Sequence, residues 1–425
     1  MLRKSLIYSG FLAVFTMYGA QAAEAPPASA VTAHYADLAA ATYGDSSAKA
    51  RDLQAAVDAL LAHPEATTLA AARAAWKAAR VPYAQSEVFR FGNATVDNWE
   101  PRVNSWPMDE GLIDYVAPSY GTHSDQNPLY TLNVVANTKI RVGARMIDAS
   151  TIDEPLLREL QQGEGVETNV STGYHAIEFL LWGQDLHGTG PGARERPASD
   201  YDLAHCTHGN CARRAAYLKA ATTLLVNDLS EMAADWKPGG KARAEMQAKG
   251  ATGGLGEILT GLGSLSFGEM AGERMKLGLM LHDPEEEQDC FSDNTHNSHF
   301  YDETGILNIW HGSYTTSDGH TLAGPGLRTL ALKADPVATK RLDAALDRTM
   351  VAIRKIKTTA DSGAMAYDQM IGAGNAMGNK MVQDAMEALV AQARAIEGVA
   401  TALHVTVDAN KSDKTASANG PANLH

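Results

Sequence analysis

The stretch Gly173–Asp185 reads GYHAIEFLLWGQD. Phe179, Leu180, Leu181 and Trp182 make it apolar nearly all round, the pattern of a helix buried on every side. His175 and Glu178 stand one turn apart, so on such a helix their side chains share a face. A carboxylate in these surroundings needs a partner or a proton. Imidazole and carboxylate are common ligands of zinc and iron. Carboxylate-bridged di-iron bundles use the same pair in reversed order, Glu-x-x-His, on inward-facing helices. The plainer reading of H-x-x-E is a structural hydrogen bond.

Helical periodicity continues on both sides of this segment. It runs over Ala48–Leu61, Thr67–Gly92, Leu129–Ile147, Ala212–Trp236, Gly254–Leu281, Pro336–Ile356 and Met381–Val399. Gly and Pro clusters punctuate these stretches at 188–197, 239–240 and 324–326. Runs of alternating β-branched residues are few, so the expectation is an all-α chain built as helix bundles. A weak repeat suggests two halves. Ser86-Glu-Val-Phe-Arg-Phe-Gly92 matches Gly272-Glu-Arg-Met-Lys-Leu-Gly278, each ending a long helix and preceding an irregular stretch, 93–110 and 282–303. The expected division is a first bundle-like half at 35–200 and a second at 201–405. Disordered segments are expected at 23–34 and 406–425.

The first residues read as a secretory signal peptide, 1–22, with Arg3-Lys4, an apolar run and the A-x-A site Ala20-Gln21-Ala22. Its absence from the mature chain would leave a periplasmic protein with no lipid-inserted segment. Fifty acidic residues against 36 Lys and Arg give a net charge of -14, which excludes nucleic-acid binding as a main role and suits binding of cations. In an oxidising compartment Cys206 and Cys211 are expected to close a short disulfide loop, and a thiolate metal site with His205 or His208 is the rival reading. Cys290 reads as a buried free thiol. H-E-x-x-H, G-x-S-x-G, P-loop, G-x-G-x-x-G and C-x-x-C-H motifs are all missing from the sequence.

Other candidate ligands are scattered. Glu87 and Glu273 occupy matching places in the repeat, each with a cation three residues on, Arg90 and Lys276. Asp293 and His296 lie in FSDNTHNSHFYDE, with His299, Asp302 and Glu303 beyond, in a predicted loop. Asp109 follows a Trp-Pro pair in SWPMDEG. For each of these, a local ion pair or a polar capping loop is the bland alternative.

The segment Gly173-Tyr174-His175-Ala176-Ile177-Glu178 resembles the G-x-H-x-x-E motif of imelysin-like proteins, also called insulin-cleaving membrane peptidases. Trp76-x-x-x-Arg80-x-x-Tyr83-x-x-x-Glu87, Ser105-Trp106-Pro107 with Asp109, Gly272-Glu273-Arg274 and Phe291–His296 extend the resemblance over roughly residues 35 to 400. The Cys206–Cys211 loop followed by Arg213-Arg214 is similar to the iron-regulated protein A branch. The resemblance implies an all-helical fold of two four-helix-bundle-like halves and a link to iron uptake. On this reading iron, as one ion or two, would be held by His175, Glu178, Glu87, Glu273, Asp293 and His296, with Asp109 a further candidate. Arg80 and Tyr83 would orient the ligands. A membrane component of an uptake system would be the partner. The alternatives are a metallopeptidase, with zinc as its metal, and a metal-free adhesion or docking protein.

Overall fold

The computed structural model describes residues 26–189 and 196–407. The expected signal peptide and nearly all of the expected C-terminal tail lie outside the described residues. The fold is all-α. Its principal helices are α1 (Ala28–Ala62), α2 (Ala66–Ser86), α3 (Gly173–Trp182), α4 (Cys211–Asp235), α5 (Gly250–Ser264), α6 (Thr295–His311), α7 (Pro336–Asp361) and α8 (Ala376–Ala402). After α5 the chain stays helical through a π-helical stretch, Leu265–Lys276, and a last α-turn, Leu277–Leu281.

Packing closes two four-membered rings of helices. In the first, α1 packs on α2 and α4, and α3 packs on the same two. In the second, α7 lies against α6 and α8, and the π-helical stretch lies against the same two. The rings meet where α6 packs on α2 and where α5 packs on α1. Glycines permit the closest of these approaches. A Cβ on Gly305 of α6 would sit 2.5 Å from the carbonyl oxygen of Gln85, and one on Gly261 of α5 would collide with that of Val88.

Several expectations need correction. The helix α1 begins at Ala28, inside the segment 23–34 expected to be disordered, and it buries Val31 and His34. The helix α4 lies beyond the expected division at 200/201. α4 completes the first ring because its apolar face, including Tyr217, Leu218, Leu225 and Leu229, is buried against α1 and α3.

The expected helix Leu129–Ile147 is absent. In its place are turns and a hairpin of β1 (Lys139–Val142) and β2 (Arg145–Asp148), paired Lys139 to Asp148. Asn133 and Gly143 hold positive φ values of 44° and 57°, which break helical continuity. Arg213 secures the excursion by donating to the carbonyls of Val134, Val135, Ala149 and Ser150 at 2.7–2.9 Å. A second small hairpin, β3 (Ser313–Thr315) with β4 (Thr321–Ala323), follows α6. The stretch 282–303 was expected to be irregular throughout, yet α6 starts at Thr295 and carries His296, His299, Asp302 and Glu303.

The glycine contact between the rings makes a paired prediction. Gly305→Ala should lose about 1–3 kcal/mol, because overpacking against the Gln85 carbonyl outweighs the gain in helix propensity. Gly398→Ala on α8, where an added Cβ meets nothing within 4 Å, should instead gain up to about 1 kcal/mol. Urea unfolding of both variants distinguishes close helix packing from a general intolerance of alanine.

Candidate metal centre

The motif helix α3 is bracketed by glycines. Gly173 has φ +85°, and its missing Cβ would lie 2.5 Å from the Val103 carbonyl oxygen. Gly183, with φ +81°, ends the helix. Upstream of α3, the Gln161 amide oxygen accepts from the backbone N–H groups of Ser171 and Thr172, at 2.9 and 3.1 Å. From α2, Trp76 Nε1 donates to the Tyr174 carbonyl at 3.0 Å, and Tyr174 donates its hydroxyl to the Ala79 carbonyl at 3.2 Å. These contacts fix the rotation of a helix whose ten residues are all buried.

The two polar side chains of α3 meet a third from far along the chain. His175 Nδ1 lies 2.9 Å from Glu178 Oε2 and 3.9 Å from Asp289 Oδ1. One donor atom from each residue lies within 4.8 Å of the other two. The backbone N–H of Ser292 donates to Glu178 Oε1 at 3.0 Å. Arg80 Nη2 donates to Asp289 Oδ1 at 3.0 Å, and Asp289 Oδ2 accepts from Asn294 at 3.2 Å and from the Ser298 hydroxyl. His175 Nε2 is buried without a hydrogen-bond partner.

Burial and neighbouring charge separate the three groups. Burial first, then the Arg80 charge, pushes the His175 imidazole down to about 3, so the ring is neutral at pH 7. Burial, reinforced by Asp289, pushes the Glu178 carboxyl well above the usual range, against the Ser292 and Arg80 contacts that favour its ionised form. Burial would also raise Asp289, but Arg80 leads the groups that outweigh it and hold the carboxyl below its ordinary value. The centre therefore holds a neutral imidazole, an ionised Asp289 and a Glu178 that favours keeping its proton.

A buried polar network extends from it. Arg80 Nη1 donates to Asn104 Oδ1 at 2.6 Å, and Asn104 donates to Glu87 and Glu100, both at 3.2 Å. Arg274 pairs with Glu87, with Asp302 at 2.9 Å and with Glu269 at 3.4 Å. Arg90 lies 3.7 Å from Glu100 and 3.8 Å from Glu269. Three guanidinium groups, of Arg80, Arg90 and Arg274, thus share this interior with six acids: Glu87, Glu100, Glu178, Glu269, Asp289 and Asp302. Such an excess of buried carboxylate is relieved by protons or by a cation. Asp302, like Glu178, is pushed up, by burial first and then by Glu87. One nitrogen and two carboxylate oxygens form a donor set suited to iron or zinc, and the surplus negative charge fits a cation there.

The structure sorts the other expected residues. Arg80, expected as an orienting residue, is paired with Asp289. Tyr83 packs beside it, its ring centroid 5.5 Å from the guanidinium and 4.9 Å from the Tyr174 ring. Glu87 joins the network through Asn104 but is engaged by Arg274. Glu273 is half-buried and lines a separate cavity with Phe267 and Arg394. Asp293 joins a different acidic group, with Asp185 and Asp368. His296 faces Asp361, 3.1 Å from its carboxylate. Asp109 accepts from Asn127 and from Thr168, at 2.5 and 2.6 Å. Cys206 and Cys211 form the disulfide, which removes the rival thiolate site, and Cys290 is a buried free thiol. Sequence reasoning missed Asp289. Its only signal was membership of the acid-rich run Glu285–Asp293, where nothing local distinguishes it from its neighbours.

A family model described as Imelysin matches residues 39–396. A protein described as an iron-regulated protein A precursor, from Parabacteroides distasonis ATCC 8503, shares the architecture with a TM-score of 0.64 at 18% identity, over 90% of this chain and 97% of that one. An imelysin-like protein from Psychrobacter arcticum 273-4 gives 0.58 at 15% identity, over 89% and 97%. At these identities the likeness carries the fold alone. No curated protein gives a significant match.

The Arg80–Asp289 pair yields a stability prediction. Arg80→Met should cost about 3–5 kcal/mol, because it strands a buried carboxylate. Adding Asp289→Asn should recover most of that loss. Equal urea midpoints for wild type and Arg80→Met would show that the pair does not hold the centre together.

Proposed function

The chain belongs to the imelysin family, and on that footing we propose that it is an exported iron-binding protein of an iron acquisition system. The observation that carries this reading is the buried His175–Glu178–Asp289 centre with its surplus of carboxylate. His175 would supply a neutral nitrogen, and Glu178 and Asp289 an oxygen each. Ser292 and Arg80 hold the two acids in place. Iron here is cargo, and the protein's part is to bind it, shield it from water and release it to a membrane component of the uptake system.

The name of the structural neighbour from Parabacteroides distasonis supports the link to iron. The signal-like N-terminus supports a periplasmic address. Among the described residues no helix is long and apolar enough to cross a membrane. A peptidase must present its metal to water and to a peptide bond. Burial of all three donors favours holding an ion over presenting it.

Elemental analysis of the tag-free protein, loaded with Fe(II) or Fe(III) and desalted, tests the reading. About one iron per chain is expected, and the pair His175→Ala, Glu178→Gln should abolish it. Stoichiometric zinc in place of iron would favour the peptidase, and no metal under any loading would leave the centre structural.

The pH dependence has a definite sign. Metal binds the ionised carboxylate, whereas burial raises Glu178 and favours its protonated form. Uptake should therefore be accompanied by proton release, and affinity should fall as the pH falls. Calorimetry in two buffers of different ionisation enthalpy measures the release, which Glu178→Gln should eliminate.

A further inference from the structure

Beside the centre, between α2 and the first turn of α6, lies a cavity of about 220 Å³. Its polar lining comes from Lys77, Arg80, Asn294, Asn297, Ser298 and Tyr301. Among the described residues, no acid lines it. Arg80 is 1% exposed, and its Nε has no hydrogen-bond partner, although both terminal nitrogens are engaged. Lys77 is half-buried on the same helix, its ammonium 5.9 Å from the Trp182 ring centroid. At its edge Lys357 donates to Asn297 and is paired with Asp361 at 2.7 Å. The cavity also faces the N-terminal turn of a 17-residue helix, the end that favours negative charge.

The lining itself, among the described residues, carries two cationic side chains and no acid. The interior behind Arg80 is rich in acid, yet the cavity in front of it presents cations and a helix N-terminus. We propose that this cavity binds a small multivalent oxyanion, a polycarboxylate or phosphate, held by Lys77 and by Arg80 Nε. The volume corresponds to roughly seven waters of liquid, room for such an anion and too little for a folded peptide segment. Arg80 would then contact the anion on one side and Asp289 on the other, so the anion would report directly to the metal centre. The position also bears on the form of the cargo: a bound anion here would favour an anionic chelate over a bare cation. That last consequence rests on the iron reading; the binding of the anion does not.

The test is calorimetric titration of the metal-free full chain with sodium citrate and, separately, with sodium phosphate. The expected result is one-to-one binding of at least one of them, weakened about tenfold or more in Lys77→Gln and restored in Lys77→Arg. Thermal melts of the variants should match wild type, because Lys77 is half-buried and outside the metal centre. Tighter citrate would identify a polycarboxylate ligand, and tighter phosphate an inorganic one. Binding of neither anion, or equal binding by wild type and Lys77→Gln, overturns the inference. Iron loading without anion binding would remove this inference alone, and anion binding without iron would remove the iron reading alone.

Discussion

The ion pair between Arg80 and Asp289 joins the two helical rings in their buried polar interior. Arg80 belongs to α2 in the first ring, and Asp289 to the loop that enters α6 in the second, 209 residues away. Both are shut away from solvent. A buried carboxylate without its cation would be costly, so the loop must stay where the guanidinium is. That requirement brings Asp289 to His175 and sets the Ser292 N–H on Glu178. It also places Asn294 and Ser298 at the start of α6.

The same guanidinium has two faces. Its terminal nitrogens serve Asp289, Ser298 and Asn104, and Asn104 passes the connection on to Glu87 and Glu100. The same side chain lines the cavity between α2 and α6, and its Nε is buried without a hydrogen-bond partner. The arrangement depends on rigid neighbours. The Arg80 guanidinium lies 5.2–5.8 Å from the ring centroids of Trp76, Tyr83 and Tyr174, which leave it little freedom to turn away.

Much of the fold was legible because helical periodicity is a local signal. The long stretches at 212–236, 254–281, 336–356 and 381–399 are helical, and the apolar completeness of Gly173–Trp182 foretold its burial. The failures have local causes too. Leu129–Ile147 carries enough apolar residues to suggest a helix, but positive φ at Asn133 and Gly143 and the carbonyl-binding Arg213 favour turns and a hairpin. The ligand-rich FSDNTHNSH stretch looked like a loop because its polar residues hid the start of α6. The repeat matched Glu87 with Glu273, yet their environments differ: one is buried and engaged by Arg274, and the other lines a separate cavity.

By itself the sequence determined the helical class, the burial of the motif helix and the shared face of His175 and Glu178. Each follows from residue spacing within a few turns, where backbone geometry alone dictates which side chains are neighbours. Only the tertiary structure decided that Asp289 lies beside His175 and Glu178, that Asp293 and His296 turn to other partners, and that α4 belongs to the first ring. Those outcomes depend on contacts between segments such as Glu178 and Ser292, 114 residues apart. Where one acid among several meets a distant imidazole is set by helix crossings and by the pairing of buried charge, and no local pattern encodes either.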